Sequence, residues 1–156
     1  PKGARMAWLV EKAVELGAGA ILPVATARGA VRPGGEAQVA RWRRIAEAAV
    51  KQSGAAFPEI RPMAPLAEAL PGLAGPLWVA HPVPEAVPLH RALAGSPDVP
   101  VFAGGPEGGW TEAELKLLAS AGGRCVTLGP RILRIETAAL ALLVGWEMRA
   151  SGHQAS

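Results

Sequence analysis

The stretch VPVFAGGPEGGWTEAELKLLASAGGRCVTLGPRILRIET, Val99 to Thr137, decides the fold. Val99-Pro100-Val101-Phe102-Ala103 is short, apolar and β-prone, and predicts a strand. Gly104-Gly105-Pro106-Glu107-Gly108-Gly109 then punctuates the chain as a loop. Thr111 to Ala119 predicts a helix opened by a capping box, Thr111-x-x-Glu114, in which each side chain satisfies a free N–H of the first turn. Arg124 to Thr127 is the next strand, residues 128–134 the next loop, and Glu136 to Met148 the last helix. Strands alternating with helices predict an α/β domain, a parallel sheet with helices on both faces.

Working outward, the same alternation continues upstream. Leu77-Trp78-Val79-Ala80 predicts a strand, residues 81–84 a Pro-studded turn, and residues 86–94 a short helix. Residues 53–76 are rich in Pro and Gly and read as a connection with one short helix at 65–70. Residues 36–52 form the clearest amphipathic helix: Val39, Trp42, Ile45, Ala46, Ala49 and Val50 share one face, with Arg41, Arg44, Glu47 and Lys51 opposite. Trp42, at helical spacing, is expected in the core. Residues 28–35 form a basic loop and residues 20–24 a short strand ending near Pro23. Residues 6–16 predict a helix, with Gly17 as its C-cap. The closing SGHQAS is expected to fray.

Composition bounds the function. The chain has 156 residues, enough for one domain with a real core, and 19% charged residues argue against extensive disorder. Gly and Pro supply 34 residues without a G-X-Y period, which excludes collagen and places them in loops. A lone Cys125 excludes an internal disulfide or a multi-cysteine zinc site, and reads as a small strand residue facing inward. The apolar run from Ala138 to Trp146 is shorter than the roughly 18 residues of a membrane span. A cytoplasmic protein without membrane attachment is therefore expected. The chain opens at Pro1 rather than Met, and a preceding segment is expected. The formal charge is +3, and 12 of the 16 cations are Arg, the side chain suited to phosphate and bases. His81, His90 and His153 have no metal-ligand spacing, so no metal is expected.

Ligands of open α/β sheets bind beyond the carboxyl ends of the strands. Three loops occupy that position here: 80–84, 104–110 and 128–134. The glycine loop lacks the Gly-Lys-Ser/Thr of a P-loop and the G-x-G-x-x-G of dinucleotide folds, which disfavours a nicotinamide-dependent oxidoreductase. Glu136 suits the first turn of a helix, whereas Arg134 is a cation where the helix dipole disfavours one. That misplaced charge points to function.

Gly105-Pro106-Glu107-Gly108-Gly109, followed by Leu128-Gly129-x-Arg131-Ile132-Leu133-Arg134-x-Glu136-Thr137-Ala138, strongly resembles the RsmE family of SPOUT methyltransferases. Lys12-Ala13-Val14-Glu15-Leu16-Gly17 and Glu47-Ala48-Ala49-x-x-Gln52-Ser53 agree with it. The likeness runs over about residues 1 to 147. It implies a methyltransferase domain over 1–150, with 151–156 as a tail, a C-terminal trefoil knot, and a homodimer with the active site at its interface. It also implies an N-terminal RNA-binding barrel domain ahead of this chain. The implied reaction is methylation of N3 of a uridine in small-subunit (16S) ribosomal RNA, with S-adenosylmethionine as donor.

By the same resemblance, the cofactor would lie among the three loops, on Ala80, His81, Ala103, Gly105, Gly108, Leu128, Gly129, Ile132 and Leu133. Arg134 would stabilise charge, and Glu136 or Glu107 would accept or relay a proton. Arg5, Lys12, Arg28 and Arg32 would contact RNA. Two positions depart from the family pattern: Ala55 stands where Arg is common, and Ile135 where Thr is usual. Two other readings compete: a SPOUT enzyme acting on another RNA, and a non-catalytic RNA-binding or ribosome-assembly module.

Overall fold

The computed structural model describes residues 3–29, 35–94 and 98–154. Helix α1 (Gly3–Glu15) buries Met6, Val10, Ala13 and Val14 along one stripe. It stops in a paired cap, with Gly17 N–H donating to the Val14 carbonyl and Ala18 N–H to that of Ala13, both at 2.9 Å. Helix α2 (Gly35–Ser53) turns Val39, Trp42, Ala46 and Ala49 onto that stripe. Met6, Val10, Val14, these four side chains and Ile60 make one core, in which Trp42 is buried as its spacing predicts.

The predicted strand at 20–24 is split. β1 (Ala20–Ile21) and β2 (Val24–Ala25) flank Pro23, which has no N–H to give to a ladder. Their partners lie inside the stretch read from sequence as a connection. β3 (Glu59–Ile60) pairs in parallel with β1, and β4 (Ala64–Pro65) with β2. Two-residue ladders between prolines leave no periodicity to detect. The short helix expected at 65–70 is α3 (Leu66–Ala69).

The second half holds the expected parallel sheet. β5 (Leu77–Ala80), β6 (Val87–Pro88), β7 (Val101–Gly104) and β8 (Arg124–Thr127) run in the order β6-β8-β5-β7, all parallel. Between them lie α4 (Leu89–Ala94) and α5 (Glu112–Ser120), and α6 (Ile135–Gln154) closes the chain. Side chains alternate across the central strand, as a pleated strand requires. Leu77 and Val79 pack with Leu66, Trp110 and Leu118 on one face, while Trp78 packs with Ala92, Val126 and Leu142 on the other. Helices cover both faces. Leu118 and Leu142 are at most 1% exposed, and burying a side chain of that size stabilises by about 1.5–3 kcal/mol.

Three boundaries differ from the sequence reading. The stretch 86–94 opens as strand β6 before it turns helical at Leu89, because Val87 and Pro88 pair with Val126 and Thr127. Strand β7 starts at Val101, with Val99 left 71% exposed. Helix α6 continues past Met148 to Gln154, so SGHQ extends the helix; residues 155–156, like Arg32 and the loop centre at 30–34, lie outside the described residues. Cys125 lies in β8 and is half-buried. Burial, and then the nearby charge of Glu85, push its thiol above the ordinary range. Among the described residues, no helix is long and apolar enough to cross a membrane.

Candidate functional site

Because β5 and β8 are adjacent and parallel, their carboxyl ends release the chain on the same side of the sheet. A cleft opens there, lined by Ala80, His81, Leu128, Gly129, Ile132 and Leu133 from the predicted set. Pro82, Val126, Thr127, Arg131 and Ala138 complete it and were not among the expected contacts. Pro82 and Arg131 stand in the same two loops, Val126 and Thr127 at the end of β8 and Ala138 in the first turns of α6; nearness in sequence to the predicted residues was the available signal.

The cleft is shaped by backbone bonds. His81 N–H donates to the Val126 carbonyl at 3.2 Å, tying the first loop to β8. The Thr127 hydroxyl accepts from Gly129 N–H at 3.2 Å and donates to the Gly129 carbonyl at 3.1 Å. Gly129 sits at φ +120, where a side chain would be strained. Ile132 presents a large apolar side chain at 92% exposure. A wall of Ala80, Leu128, Ile132 and Leu133 beside exposed loop backbone fits a ligand with a flat apolar ring and polar edges.

The glycine loop stands one strand over, after β7. Ala103 packs against the core that contains Trp110. Gly105 lies under the Trp110 indole, where a Cβ would come within 2.8 Å of Nε1. Gly108 lies against Arg28, 3.1 Å from where its own Cβ would be, and its carbonyl accepts from Arg28 Nη1 at 2.9 Å. Ala103, Gly105 and Gly108 are thus absent from the lining of the β5–β8 cleft. Their local neighbours are Trp110 and Arg28.

Glu114, expected only as part of a capping box, does more. It caps α5 reciprocally with Thr111, as predicted, and also accepts from Ala27 N–H at 2.8 Å. Burial works to raise its pKa. The Thr111 and Ala27 N–H groups, the Thr111 hydroxyl and the charge of Arg28 outweigh that, holding the carboxyl below its usual range. The long-range partner had no sequence signal.

The candidate charged groups fall into two sets. Arg5 Nη1 pairs with Glu107 and lies 3.6 Å from Glu136 Oε1. Glu136 is 8% exposed, and its Oε2 has no hydrogen-bond partner among the described residues. Lys12 is held by Glu11 at 2.8 Å and Glu15 at 2.7 Å, and those bonds raise its pKa. Arg131 and Arg134, by contrast, are exposed. Neither has an ion-pair partner among the described residues.

A roomier concavity, about 1050 Å³, lies between α1 and α2 and is lined by residues including Glu11, Lys12, Glu15, Arg41, Arg44 and Gln52. It is wide and of mixed charge, and of the candidate residues only Lys12 lines it. The cleft at the strand ends instead joins exposed backbone to Arg131, and ligands of open α/β sheets bind at such ends. Among the described residues, no group of three His, Cys, Asp or Glu side chains is disposed to hold a metal.

Residues 1–146 match the family model described as RNA methyltransferase domain. The chain is similar to Ribosomal RNA small subunit methyltransferase E of Synechocystis, at 33% identity over 88% of this chain and 47% of that protein. Its counterpart in Bacillus subtilis is 32% identical over 90% of this chain and 59% of the relative. The chain thus spans about half the length of these relatives. Among solved structures, Ribosomal RNA small subunit methyltransferase E from Neisseria gonorrhoeae, bound to S-adenosyl methionine, superposes with a TM-score of 0.83 at 38% identity. The match covers 94% of this chain and 62% of that one. A methyltransferase from Legionella pneumophila, in complex with the bound cofactor SAM, gives 0.84 at 30% identity, with the same two coverages of 94% and 62%.

Proposed function

Since the chain belongs to the RsmE family of RNA methyltransferase domains, we propose that it methylates N3 of a uridine in 16S ribosomal RNA, with S-adenosylmethionine as donor. The observation that carries this reading is the cleft at the carboxyl ends of β5 and β8, built from apolar side chains and exposed loop backbone. Its support is the likeness to two structures that hold the same cofactor. The proposal extends to a C-terminal trefoil knot, to a homodimer formed through α6, and to a cytoplasmic site of action. The exposed apolar side chains of Val144 and Met148 on α6 support the dimer.

Bound in the cleft, S-adenosylmethionine supplies a methyl group activated by a sulfonium. Ala80, Leu128, Ile132 and Leu133 would wall its adenine, with His81 and Gly129 shaping the backbone around it. Ala103 and Gly105 would border the cofactor from the neighbouring loop, which Gly108 would hold in place through its contact with Arg28. Uridine N3 is an imide nitrogen that carries a proton at neutral pH, so that proton must leave as the N–C bond forms. Glu136 would accept it or relay it with Glu107. Arg134, exposed at the mouth of α6, would stabilise the negative charge developing on the uracil carbonyls. Arg131 lines the same cleft and adds positive charge there. Lys12, Arg28 and Arg32 remain candidates for RNA phosphates, which Lys and Arg bind by charge.

Calorimetric titration of the protein with S-adenosylmethionine tests the cofactor half. Absence of binding at millimolar ligand overturns it. Mass-spectrometric mapping of methylated uridines in RNA from a strain lacking the gene tests the other half. Loss of one 3-methyluridine from 16S RNA is expected. Loss from another RNA moves the reading to a different substrate, and no loss at all favours a non-catalytic module.

A further inference from the structure

We propose that Arg5 is a positioning residue for this methyl transfer, one guanidinium that holds the two candidate carboxylates, Glu107 and Glu136, in a single working arrangement. The inference rests on the function proposed above and names a part of its machinery.

Three distant segments meet at this cation. Arg5 lies in the first turn of α1, Glu107 in the loop after β7, and Glu136 in the first turn of α6. The same nitrogen, Nη1, serves both carboxylates. Two carboxylates within reach of one nitrogen repel each other, and a cation between them removes that repulsion. The need is greatest at Glu136, which is 8% exposed, because an ionised carboxylate buried without a counter-charge is strongly disfavoured.

The two contacts differ in kind. Glu107 is hydrogen-bonded to Arg5, whereas Glu136 Oε1 stands at 3.6 Å, an ion pair rather than a hydrogen bond. Glu136 therefore has a counter-charge, while its buried Oε2 has no hydrogen-bond partner among the described residues. Glu107 is 59% exposed on a loop anchored otherwise by the Arg28–Gly108 bond. Pairing with Arg5 fixes that loop against the start of α6. Arg5 is thus engaged inside the chain, unlike exposed Arg134, and an RNA phosphate would have to displace two carboxylates to use it.

The test uses the whole protein, with Arg5→Gln, Arg5→Lys and Glu107→Gln. Three quantities are read: affinity for S-adenosylmethionine, affinity for RNA at two salt concentrations, and single-turnover methyl transfer at saturating RNA. Arg5→Gln is expected to slow transfer by about 10–100-fold, as a small misplacement of reacting groups does. Both affinities should stay within about twofold. Arg5→Lys, which keeps the charge, should restore most of the rate. Combining Glu107→Gln with Arg5→Gln should slow transfer by less than the product of the single effects, because the two share one contact.

Weaker RNA binding with a salt slope reduced by about one, and an unchanged rate at saturation, would identify a phosphate ligand and overturn the proposal. Unchanged behaviour in every assay overturns it as well. If Arg5→Gln does not fold, Arg5→Lys and Glu107→Gln decide by the same rate and affinity readings. A wild-type protein that binds no S-adenosylmethionine and methylates nothing removes the functional reading and this proposal together, whereas active wild type with an unaffected Arg5→Gln removes only the latter.

Discussion

The Ala27 N–H donates to Glu114 Oε1 at 2.8 Å, joining residues 87 apart in sequence. Through that bond the basic loop after β2 is tied to the start of α5, and Arg28 is carried to the glycine loop. Glu114→Gln keeps the shape but loses the charge and one acceptor, so we expect a loss of about 1–3 kcal/mol near neutral pH. The folded carboxyl lies below its ordinary 4.5, so its contribution is complete above the unfolded pKa. It fades as pH falls through the folded one. Urea unfolding of wild type and variant should therefore differ at pH 7 and converge in acid. A gap that persists unchanged at low pH would contradict the assignment.

Gly129 and Gly108 separate two roles that look alike in sequence. Gly129 has φ +120 and lines the cleft, and forcing a side chain there costs about 1–3 kcal/mol. Gly129→Ala should lower affinity for S-adenosylmethionine by about tenfold or more. At Gly108 a new Cβ would meet Arg28 at 3.1 Å, so Gly108→Ala disturbs a loop contact and should change that affinity by less than about threefold. Calorimetry on both variants checks the contrast, and equal losses would make Gly108 a cofactor contact rather than a support of its loop.

Arg134 is exposed and has no ion-pair partner among the described residues, so removing it should cost little stability. Arg134→Ala should retain affinity for S-adenosylmethionine while methyl transfer falls by about 10²–10³-fold, the usual effect of losing one charge-stabilising donor. Binding by calorimetry and transfer by single turnover are measured on the same preparation. Full activity would remove Arg134 from the mechanism.

What the sequence made legible follows from the length of each pattern. Val39, Trp42, Ala46 and Ala49 repeat over three turns, so α2 and its buried face were plain. The Thr111–Glu114 box is a local bond, and it formed as read. β3 and β4 are two residues each and owe their existence to partners almost 40 residues away, so no window contained the cause. Val87 and Pro88 became a strand for the same reason. At the site, the loops after β5 and β8 follow strands that the sequence marks, and it is the strand order of the sheet that brings their ends side by side. The Arg5–Glu107–Glu136 cluster was hidden, since each residue carries its own local explanation and only the fold brings three helix and loop starts to one point.

Helix α6 carries a second apolar side. Ala138 and Leu142 are buried, Leu142 within the core under β5 and β8. Val144 is 39% exposed and Met148 73% exposed, one turn apart and turned away from Leu142. A helix apolar on more than one side is normally covered on more than one side, and a twofold partner offering the same helix would cover this one. Met148→Glu places a charge where that partner would sit, without entering the core. Light scattering after size exclusion at about 10 µM should show a dimer for wild type and a monomer for Met148→Glu. The variant's affinity for S-adenosylmethionine should fall with the dimer if the cofactor cleft is completed across the interface. A wild-type monomer at that concentration, or a variant that still dimerises, would remove α6 as the dimer contact.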